Sequence, residues 1–416
     1  MIRPRLLLLA TTTAYQTDDF RRAAEELGVE VVLGTDRCHV LAEDWPEGAL
    51  ALDFRDPPRA AAQIVDGAGA LAGIVVTDEL TAQIGALAAA QLGLPFNAVE
   101  ATRAAGDKLR LRQRLAAAGV PQPAFQAVSI DAEPVALAAT LRFPVVIKPR
   151  HLSASRGVMR VDDGRELCDR FARLVRMLSH PELVARDPDA AASILIEEFV
   201  AGPEVAFEGL LRGGRLDALA LFDKPDPLDG PFFAETIYVT PSSLPVAVQQ
   251  TIEARVGAAA AAIGLSEGPV HAELRLGRDG PLVIEVAARS IGGLCGRALR
   301  FGAGVSLERL IVAHAVGRAL SSARTTEASG VLMLPVPRAG VLRAIAGVAA
   351  AASVPQVREV TITARAGEEM VPLPEGNKYL GFVFAAGEQP AQVVAALRQA
   401  GAALRFDIAP LLPHPT

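Results

Sequence analysis

Lys148 stands where an apolar run ends in the segment 143–161, FPVVIKPRHLSASRGVMRV. The β-branched residues before it predict a buried strand, and a loop of small residues that ends at Gly157 follows it. A single cation delivered by a buried strand to the edge of such a loop is suited to binding a ligand. The alternative is a surface β-hairpin that carries a solvated lysine.

Two glutamates lie on two neighbouring predicted strands further along the chain. Glu273 is in the segment GPVHAELRL and Glu285 is in GPLVIEVAAR, and apolar residues flank both. Carboxylates on adjacent strands of an apolar sheet repel each other unless a cation lies between them, and a buried unpaired carboxylate is costly. Because Mg²⁺ takes oxygen ligands, the pair is a candidate metal site. A solvated face of the sheet is the alternative interpretation.

The elements that carry these residues follow an order that predicts three regions. From Arg5 to about Thr102, apolar runs alternate with helical stretches, which predicts an open parallel sheet. A helix is expected from about Asp107 to Ala118. From about Gly330 the pattern predicts strands at 331–337, 358–364, 379–385 and 404–408 and helices at 340–352 and 391–400, which is the split βαβ order.

Composition places the chain among globular proteins of a reducing compartment. Its 416 residues suffice for two or three domains, and the net charge of −6 argues against a nucleic-acid partner. Cys38, Cys168 and Cys295 form neither a disulfide framework nor a zinc motif. The apolar start from Leu6 to Ala10 is shorter than the roughly 7–15 residues of a signal-peptide core, and no apolar run approaches the ~18 residues of a membrane span. We therefore expect a cytoplasmic protein with no membrane partner.

Several nucleotide-binding and nucleophile motifs are missing from the sequence. There is no Gly-Lys-Ser/Thr, His-Glu-x-x-His or Gly-x-Ser-x-Gly segment, so P-loop NTPases are excluded by motif. The glycine-rich segment GAGALAG at 67–73 follows a helical stretch and precedes a strand, which is the reverse of the dinucleotide-binding order, so a plain loop is expected. Lysines, carboxylates and glycines remain as the candidate functional groups.

Five features in order resemble the ATP-grasp superfamily over about residues 5–318: Lys108 at a helix start, Lys148 at a strand end, the segment ILIEEFVAGPEVAFEG at 194–209, and the two glutamates Glu273 and Glu285. The resemblance implies an α/β protein with an ATP-grasp fold, an N-terminal parallel α/β domain like that of biotin carboxylase, and a small C-terminal α+β domain. The implied boundaries are 1–104 for the N-terminal domain, 105–328 for the ATP-grasp region, about 120–202 for its flexible flap subdomain, and 329–416 for the C-terminal domain.

The resemblance implies an ATP site. Lys108 and Lys148 match the two lysines that flank the adenine and the α- and β-phosphates, and a lysine suits phosphates as a point charge on a flexible stem. The loop 151–157 matches the flap over the phosphates, where small residues let backbone N–H groups approach the oxygens. The ATP-binding residues expected in the flap loop and in the adenine and ribose site are Ser153, Ser155, Gly157, Glu197, Phe199, Val200 and Glu204. Because side chains alternate along a strand, one of Glu197 and Glu198 is expected to face solvent.

The same resemblance implies that Glu273 and Glu285 bind Mg²⁺, or Mn²⁺ in its place, and that Arg289 is the catalytic residue. A guanidinium can bind the substrate carboxylate bidentately and later stabilise an oxyanion, although a structural ion pair is the alternative for Arg289. The other expected substrate-binding residues are Glu235, for an amino group, and His271, Gly292 and Gly293. A packed histidine and a tight glycine turn are the alternatives there, and Lys224 is a weaker substrate candidate. Because neither glycine has a side chain, we expect an open pocket wall with room for a large substrate side chain at these two positions.

One departure from the common pattern narrows the resemblance. Many ATP-grasp enzymes have an asparagine as an extra metal ligand two residues after the second glutamate, where this chain has Ala287. The form Glu-x-Ala-Ala-Arg followed by SIGG, together with EGNKYLGFVFAAG near the C-terminus, resembles the L-amino-acid ligases that form dipeptides. This implies an enzyme that uses ATP to join an amino acid carboxylate to an amine or a second amino acid through an acyl phosphate, with release of ADP and phosphate.

Two rival functions stay open from the sequence. One is another ATP-grasp ligase or carboxylase, such as one that uses bicarbonate in purine synthesis, and the other is a nucleotide-binding module without activity. The partners implied are a small-molecule acid and a small-molecule amine, and a homodimer is left open.

Overall fold

The computed structural model describes residues 3–36 and 48–411, so that Cys38 lies outside the described residues. The N-terminal unit is a parallel sheet with helices, as the alternating pattern predicts, and its strand order is β3-β2-β1-β4. Its elements are β1 (Arg5–Leu9), α1 (Thr17–Glu26), β2 (Glu30–Thr35), β3 (Ala49–Ala51), α2 (Pro57–Gly67), β4 (Gly73–Val76), α3 (Glu79–Leu92) and α4 (Val99–Gly106). The segment 67–73 joins α2 to β4 as a loop, as expected.

The carboxyl ends of these parallel strands meet at one edge of the sheet, where α/β proteins place their ligands. Asp78 and Glu79 follow β4 at this edge, and Asp78 caps α3 by accepting a hydrogen bond from the backbone N–H of Thr81. The cap fixes the start of α3 and with it the position of Glu79, the first residue of the helix.

The next unit contains a second, antiparallel sheet of order β5-β8-β6-β7. Its elements are α5 (Lys108–Ala117), β5 (Phe125–Ser129), α6 (Pro134–Ala138), β6 (Val145–Pro149), β7 (Met159–Val161), α7 (Gly164–Leu178), α8 (Pro181–Arg186), α9 (Pro188–Ala191) and β8 (Ser193–Glu198). Ile147, Met159, Phe171 and Ile196 belong to a core of its own, so we call residues 125–198 the flap subdomain.

A large sheet forms the body of the protein, in the order β13-β12-β9-β10-β11-β16-β20-β18. The elements before the C-terminal region are β9 (Glu204–Arg212), β10 (Arg215–Asp223), β11 (Ile237–Thr240), α10 (Val246–Ile263), β12 (Gly268–Gly277), β13 (Gly280–Ala287), a 3₁₀ helix (Cys295–Ala298), β14 (Arg300–Phe301), β15 (Val305–Ser306) and α11 (Leu307–Ala315). Leu8 and Phe20 of the N-terminal unit share one core with Leu294 and Phe382. The N-terminal unit is therefore packed firmly against the large sheet.

The C-terminal region differs in part from the split βαβ prediction. Its elements are β16 (Ala328–Pro335), β17 (Gly340–Ala346), α12 (Val348–Ala352), β18 (Val357–Ile362), β19 (Glu369–Met370), β20 (Tyr379–Gly387), α13 (Pro390–Ala403) and β21 (Arg405–Ala409). The helix predicted at 340–352 is a strand followed by one short helix, because β17 pairs with β21 and Gly347, in a left-handed conformation with φ 84°, separates the two elements. The strands β16, β18 and β20 extend the large sheet, while β19, β17 and β21 form a small sheet of their own.

The mixed α/β architecture confirms the predicted fold class. Among the described residues, no helix is both long and apolar enough to cross a membrane.

Candidate active site

A cleft of about 1070 Å³ lies where the flap subdomain, the N-terminal unit, the large sheet and the C-terminal strands meet. The sequence-predicted residues that line it are Lys108, Lys148, Ser153, Ser155, Glu197, Phe199, Val200, Glu204, Glu235, His271, Glu273, Glu285, Arg289, Gly292 and Gly293. Gly157 is not among the lining residues. Residues that are far apart in sequence therefore meet at one site.

Lys148 lies in a buried cluster with one carboxylate and a second cation. Its Nζ is 2.7 Å from Oε2 of Glu197, and Arg112 donates to both oxygens of the same carboxylate at 2.6 and 3.1 Å. Burial lowers the pKa of Lys148 to about 8, since Glu197 offsets only part of this effect. Burial alone would raise the pKa of Glu197, but Arg112 and Lys148 outweigh it and lower this pKa to about 2. The cluster therefore holds two cations and one anion.

Lys108 connects the flap loop to the carboxylate strands. It begins α5, where Asp107 caps the helix, and its Nζ donates to the Leu152 carbonyl at 2.7 Å. The same Nζ lies 3.9 Å from Oε2 of Glu285. One ammonium group thus touches both walls of the cleft.

The flap loop has an unusual backbone. Leu152, Ala154 and Ser155 have φ values of 81°, 55° and 56°, in a region that side chains other than glycine seldom adopt. Ser153, Ala154 and Ser155 line the cleft, whereas Gly157 donates its backbone N–H to the Pro374 carbonyl of the C-terminal region at 2.8 Å. Gly157 thus holds the loop in place, and its neighbours face the cleft.

The segment after β8 offers one acceptor and one donor to the cleft. The Phe199 N–H donates to the Pro144 carbonyl at 3.3 Å, and the Val200 carbonyl accepts from Arg275 at 2.8 Å. Within the described residues, the Phe199 carbonyl and the Val200 N–H have no hydrogen-bond partner. As the alternation along β8 predicts, Glu197 is buried and its neighbour Glu198 is exposed.

Lys224 occupies the centre of a second buried cluster, in which carboxylates outnumber cations. Its Nζ donates to Glu204 at 2.7 Å and to Glu235 and Glu273 at 2.9 Å each. Burial would lower the pKa of Lys224, but the three carboxylates raise it well above its ordinary value. Burial raises the pKa of Glu235 to about 8, and the nearby carboxylates add to this effect against the attraction of Lys224.

The two glutamates predicted to bind a metal lie directly opposite each other. In the register of β12 and β13, Glu273 pairs with Glu285, next to a β-bulge, and both line the cleft. Two carboxylates at paired strand positions, half-buried and facing the same space, fit the oxygen preference of Mg²⁺. A compact group of carboxylates is also formed by Glu204, Glu235 and Glu273, but the ammonium of Lys224 already bonds to all three.

His271 links the carboxylate strands to the glycine-containing loop. Its Nδ1 lies 2.5 Å from Oε1 of Glu208, its Nε2 lies 3.6 Å from Glu273, and the other oxygen of Glu208 accepts the Ile291 N–H at 3.1 Å. Burial would lower the pKa of His271, but Glu208 outweighs this effect and raises it to about 9. His271 is therefore a packed, hydrogen-bonded cation that also lines the cleft.

Arg289 is held by an acidic residue of the N-terminal unit. Its Nε and Nη2 donate to Oε1 of Glu79 at 3.0 and 2.5 Å, and its Nη1 donates to the Ser290 carbonyl at 2.8 Å. Burial would lower the pKa of Arg289, but Glu79 and Glu285 raise it. The guanidinium is thus oriented at the edge where β4 ends.

The two glycines after Arg289 differ from each other. A side chain at Gly292 would enter open space, with no atom within 4 Å of its Cβ, as expected for a roomy pocket. At Gly293, with φ 61°, a Cβ would lie 2.8 Å from the Phe382 ring of β20. The expectation of an open wall therefore applies to Gly292 and not to Gly293, where Phe382 fills the space.

Sequence reasoning missed several residues that hold the site together, namely Glu79, Arg112, Glu208 and Arg275 and the cleft-lining residues of the segment 362–379. Glu79 could have been found, because it begins the helix that follows a parallel strand after two residues, and such a position lies at the ligand-binding edge of the sheet. Arg112 gave no signal, since it is one of several arginines in the helix KLRLRQRLAA.

Comparison with known families identifies two parts of the chain. Residues 141–298 match the ATP-grasp domain, and residues 332–409 match the L-amino acid ligase C-terminal domain 2. The curated relatives include the alanine–anticapsin ligase of Bacillus subtilis, 27% identical over 53% of this chain and 48% of that protein. A D-alanine–D-alanine ligase of Aromatoleum aromaticum is 30% identical over 50% of this chain and 64% of that protein. The chain thus spans less than two thirds of these relatives.

Solved structures match over nearly the whole chain. The L-amino acid ligase from Bacillus licheniformis superposes with a TM-score of 0.84 and 25% identity, covering 98% of this chain and 99% of that one. N5-carboxyaminoimidazole ribonucleotide synthetase from Thermotoga maritima has a TM-score of 0.73 at 14% identity, covers 98% of this chain and 100% of that one, and shows the same fold.

Proposed function

We propose that this chain, a member of the ATP-grasp superfamily with a C-terminal domain of the L-amino acid ligase type, is an ADP-forming ligase that joins an amino acid carboxylate to an amine or a second amino acid. One observation carries the proposal. In a single cleft, cations outnumber carboxylates around Lys148 at one end, and carboxylates outnumber cations around Lys224 at the other. Arg289 lines the same cleft, close to the two glutamates predicted to bind a metal.

The nucleotide binds at the cationic end in this proposal. Lys108 and Lys148 neutralise the phosphates, and the backbone of the flap loop approaches their oxygens. The free Phe199 carbonyl accepts from the adenine amino group, and the neighbouring Val200 N–H donates to a ring nitrogen. Glu197 lines this end and orients Lys148, and Glu204, held by Lys224 and Arg275, faces the ribose hydroxyls.

Glu273 and Glu285 would hold Mg²⁺, or Mn²⁺ in its place, and such an ion supplies neutralisation of the phosphate charge that develops during transfer. Ala287, buried at the end of β13, has no ligand atom, so these two glutamates are the ligands that β12 and β13 offer. Lys224 and His271 fix the position of Glu273 by contacts at 2.9 and 3.6 Å.

The chemistry follows from the neighbours of Arg289. Its guanidinium binds the acid substrate, whose carboxylate oxygen attacks the γ-phosphorus while the bond to ADP breaks. The amine nitrogen then attacks the acyl carbon, loses a proton, and phosphate leaves with the former carboxylate oxygen. Arg289 stabilises the oxyanion that exists after the amine nitrogen has attacked and before phosphate has left. Glu235 binds the amino group of the acid substrate. The N–H groups of Gly292 and Gly293 lie at the same wall.

A matrix of acid and amine pairs tests the proposal. Purified protein with ATP and Mg²⁺ is offered amino acids in pairs, simple amines and bicarbonate, with ADP, AMP and phosphate quantified and products identified by mass. We expect ADP, phosphate and one amide product in equal amounts, and no turnover from a Glu273→Gln, Glu285→Gln double variant. AMP and pyrophosphate would contradict the acyl-phosphate route. A bicarbonate-dependent product would point to a carboxylase, and nucleotide binding without turnover to a module without activity.

A further inference from the structure

Lysine is rare in this protein, and its few positions are informative. The chain has 41 lysines and arginines together, of which four are lysines: Lys108, Lys148, Lys224 and Lys378. Arginine thus fills most cationic positions, and the few lysines differ from it by carrying a compact charge on a flexible stem instead of a planar guanidinium. The first three belong to the two clusters and the flap contact described above. Lys378 has no role in the proposed reaction so far.

Lys378 lines the same cleft as the other functional residues. It directly precedes β20 in the C-terminal region, and Arg365 and Asn377 line the cleft close to it in sequence or space. The Lys378 Nζ donates to Oε1 of Glu368 at 2.5 Å. The guanidinium of Arg365 makes no hydrogen bond within the described residues, and Arg365 is exposed. Two cations therefore stand at the C-terminal wall of the cleft, which we call the C-terminal rim.

The position of the C-terminal rim relates it to the reacting end of the cleft rather than to the adenine end. Tyr379, next to Lys378, packs against Phe382 with ring centroids 5.8 Å apart, and Phe382 lies against Gly293 in the loop that follows Arg289. The adenine end, by contrast, is walled by Val146 and Glu198 of the flap subdomain and by Val200. A ligand group at the rim is thus a neighbour of the acid substrate.

We propose that Lys378, with Arg365 beside it, binds the carboxylate of the acceptor amino acid and thereby sets the preference for it over an acceptor without a carboxylate. This inference rests on the proposed ligase function. In the proposed function, Lys108 and Lys148 bind the phosphates and Arg289 binds the carboxylate of the acid substrate. The cations of the C-terminal rim are therefore available for another anionic group, the carboxylate of the acceptor. Lys378 is exposed and Glu368 is partly buried, so their ion pair is screened by solvent and a ligand carboxylate displaces or joins it at little cost.

A comparison of an amino acid acceptor with its carboxamide tests this inference, because the carboxamide lacks the charge but keeps the nucleophile. In the wild type we expect a KM for the amino acid about tenfold below that for the carboxamide, as one charge-assisted hydrogen bond provides. We call the ratio of the KM for the carboxamide to the KM for the amino acid the preference. In Lys378→Gln this preference should fall to about one, because the KM for the amino acid rises while kcat changes little. Arg365→Gln should lose part of the preference.

Arg343→Gln is the matched control, since Arg343 is an exposed cation of the C-terminal region outside the cleft, and its preference should equal that of the wild type. An unchanged preference in Lys378→Gln, with ADP still formed, would overturn the carboxylate subsite and leave the ligase function standing. Absence of ADP with every acid in the wild type would instead remove the proposed function and the acceptor site with it.

Discussion

Two of the three buried lysines in the cleft, Lys148 and Lys224, have surroundings with opposite effects on their pKa values. Lys148 and Lys224 are similarly buried, with 4% and 7% of their surface exposed, so burial alone cannot separate them. Around Lys148, two cations share the Glu197 carboxylate, and the pKa of Lys148 is lowered to about 8. Around Lys224, three carboxylates bond to one ammonium group and raise its pKa. The number of carboxylates around each lysine therefore decides whether its pKa is raised or lowered.

In the proposed function, this difference suits the two ends of the cleft to different ligands. A cluster with surplus positive charge becomes balanced when an anion such as a phosphate binds, and a cluster with surplus negative charge becomes balanced when a cation binds. Around Lys148 the surplus positive charge has no further carboxylate among the described residues to offset it, and an uncompensated buried charge is costly. Around Lys224 the surplus of carboxylates is offset in part by Arg275, which donates to Glu204, by His271 beside Glu273, and by the raised pKa of Glu235. The cationic end is therefore the end where a bound anion would relieve the larger imbalance.

The largest effect is expected from Arg289→Lys, which leaves both clusters intact. Lysine keeps the charge and can still pair with Glu79, but it lacks the fork that binds a carboxylate and an oxyanion. We expect amide formation to fall by about 10²–10³, since one oxyanion donor is worth that much in rate, while the Kd for ATP changes little. Single-turnover kinetics and ATP titration on the same preparation measure both quantities. A ligase rate equal to that of the wild type would remove the role proposed for Arg289.

A smaller effect is expected from Lys148→Ala, which removes the surplus charge of the cationic cluster. Arg112 keeps both oxygens of Glu197 paired, so the fold should persist. We expect ATP to bind about 100-fold more weakly, as for the loss of one hydrogen bond between charged groups at the strong end of its range. Calorimetry of ATP binding, with circular dichroism as the folding control, checks this. Unchanged affinity in a folded variant would mean that Lys148 does not face the nucleotide.

The cleft residues to which we assign the chemistry could be selected from the sequence, whereas most of the residues that orient them could not. Lys148, Glu273 and Glu285 occur in local patterns, because each ends or occupies a strand with a recognisable apolar sequence. Their partners are distant in the chain. Arg112 reaches Glu197 across 85 positions, and Glu79 reaches Arg289 across 210 positions. No local periodicity encodes such pairs, since they form only when separate units pack together.

The C-terminal region shows a second limit of sequence reasoning. The segment 340–352 is rich in alanine and aliphatic residues, which suits a helix, but its first half pairs with the last strand of the chain. Tertiary pairing outweighed local propensity at this point, where Gly347 interrupts the segment. The same region contributes Tyr379 and Lys378 to the cleft, and the sequence pattern gave no indication that it would reach so far.

The pH dependence of ATP binding gives a sharper test of the contrast between the lysines. Below a pH of about 8 Lys148 is charged, and above it the ammonium loses its proton because burial has lowered its pKa. We expect the affinity for ATP to be level below this pH and to fall by up to tenfold per unit as the pH rises through it, because binding then requires uptake of a proton. Lys148→Arg, which cannot lose its charge, should remove this dependence. An equal fall in both proteins would assign it to another group.

The two ends also differ in how firmly they are held. The carboxylates stand on paired strands of the large sheet, whereas the flap loop is attached to the C-terminal region by a few contacts. Gly157 and Arg156 donate to the Pro374 and Glu375 carbonyls at 2.8 Å each, and Arg173 donates to both carboxylate oxygens of Glu375 at 2.6 and 2.7 Å. Both side chains of this last pair are more than a third exposed, so solvent screens it and its contribution is modest. The attachment of the flap is therefore the weaker of the two.

The smallest effect is expected from Glu375→Gln, which weakens this attachment without touching either cluster. A flap that opens more often exposes the acyl phosphate to water, so we expect about a fivefold rise in ADP formed without a matching amide, consistent with a surface ion pair of about 1 kcal/mol. The charge exchange Arg173→Glu with Glu375→Arg should restore the ratio of ADP to amide, whereas a purely structural defect would persist in it. Asp162→Asn is the matched control, since it breaks an ion pair within the flap subdomain, between Arg160 and Asp162 at 2.7 Å, that does not reach the C-terminal region. If Glu375→Gln left the ratio of ADP to amide at the wild-type value, the flap would be held by its backbone hydrogen bonds, and the difference in firmness between the two ends would not depend on this carboxylate.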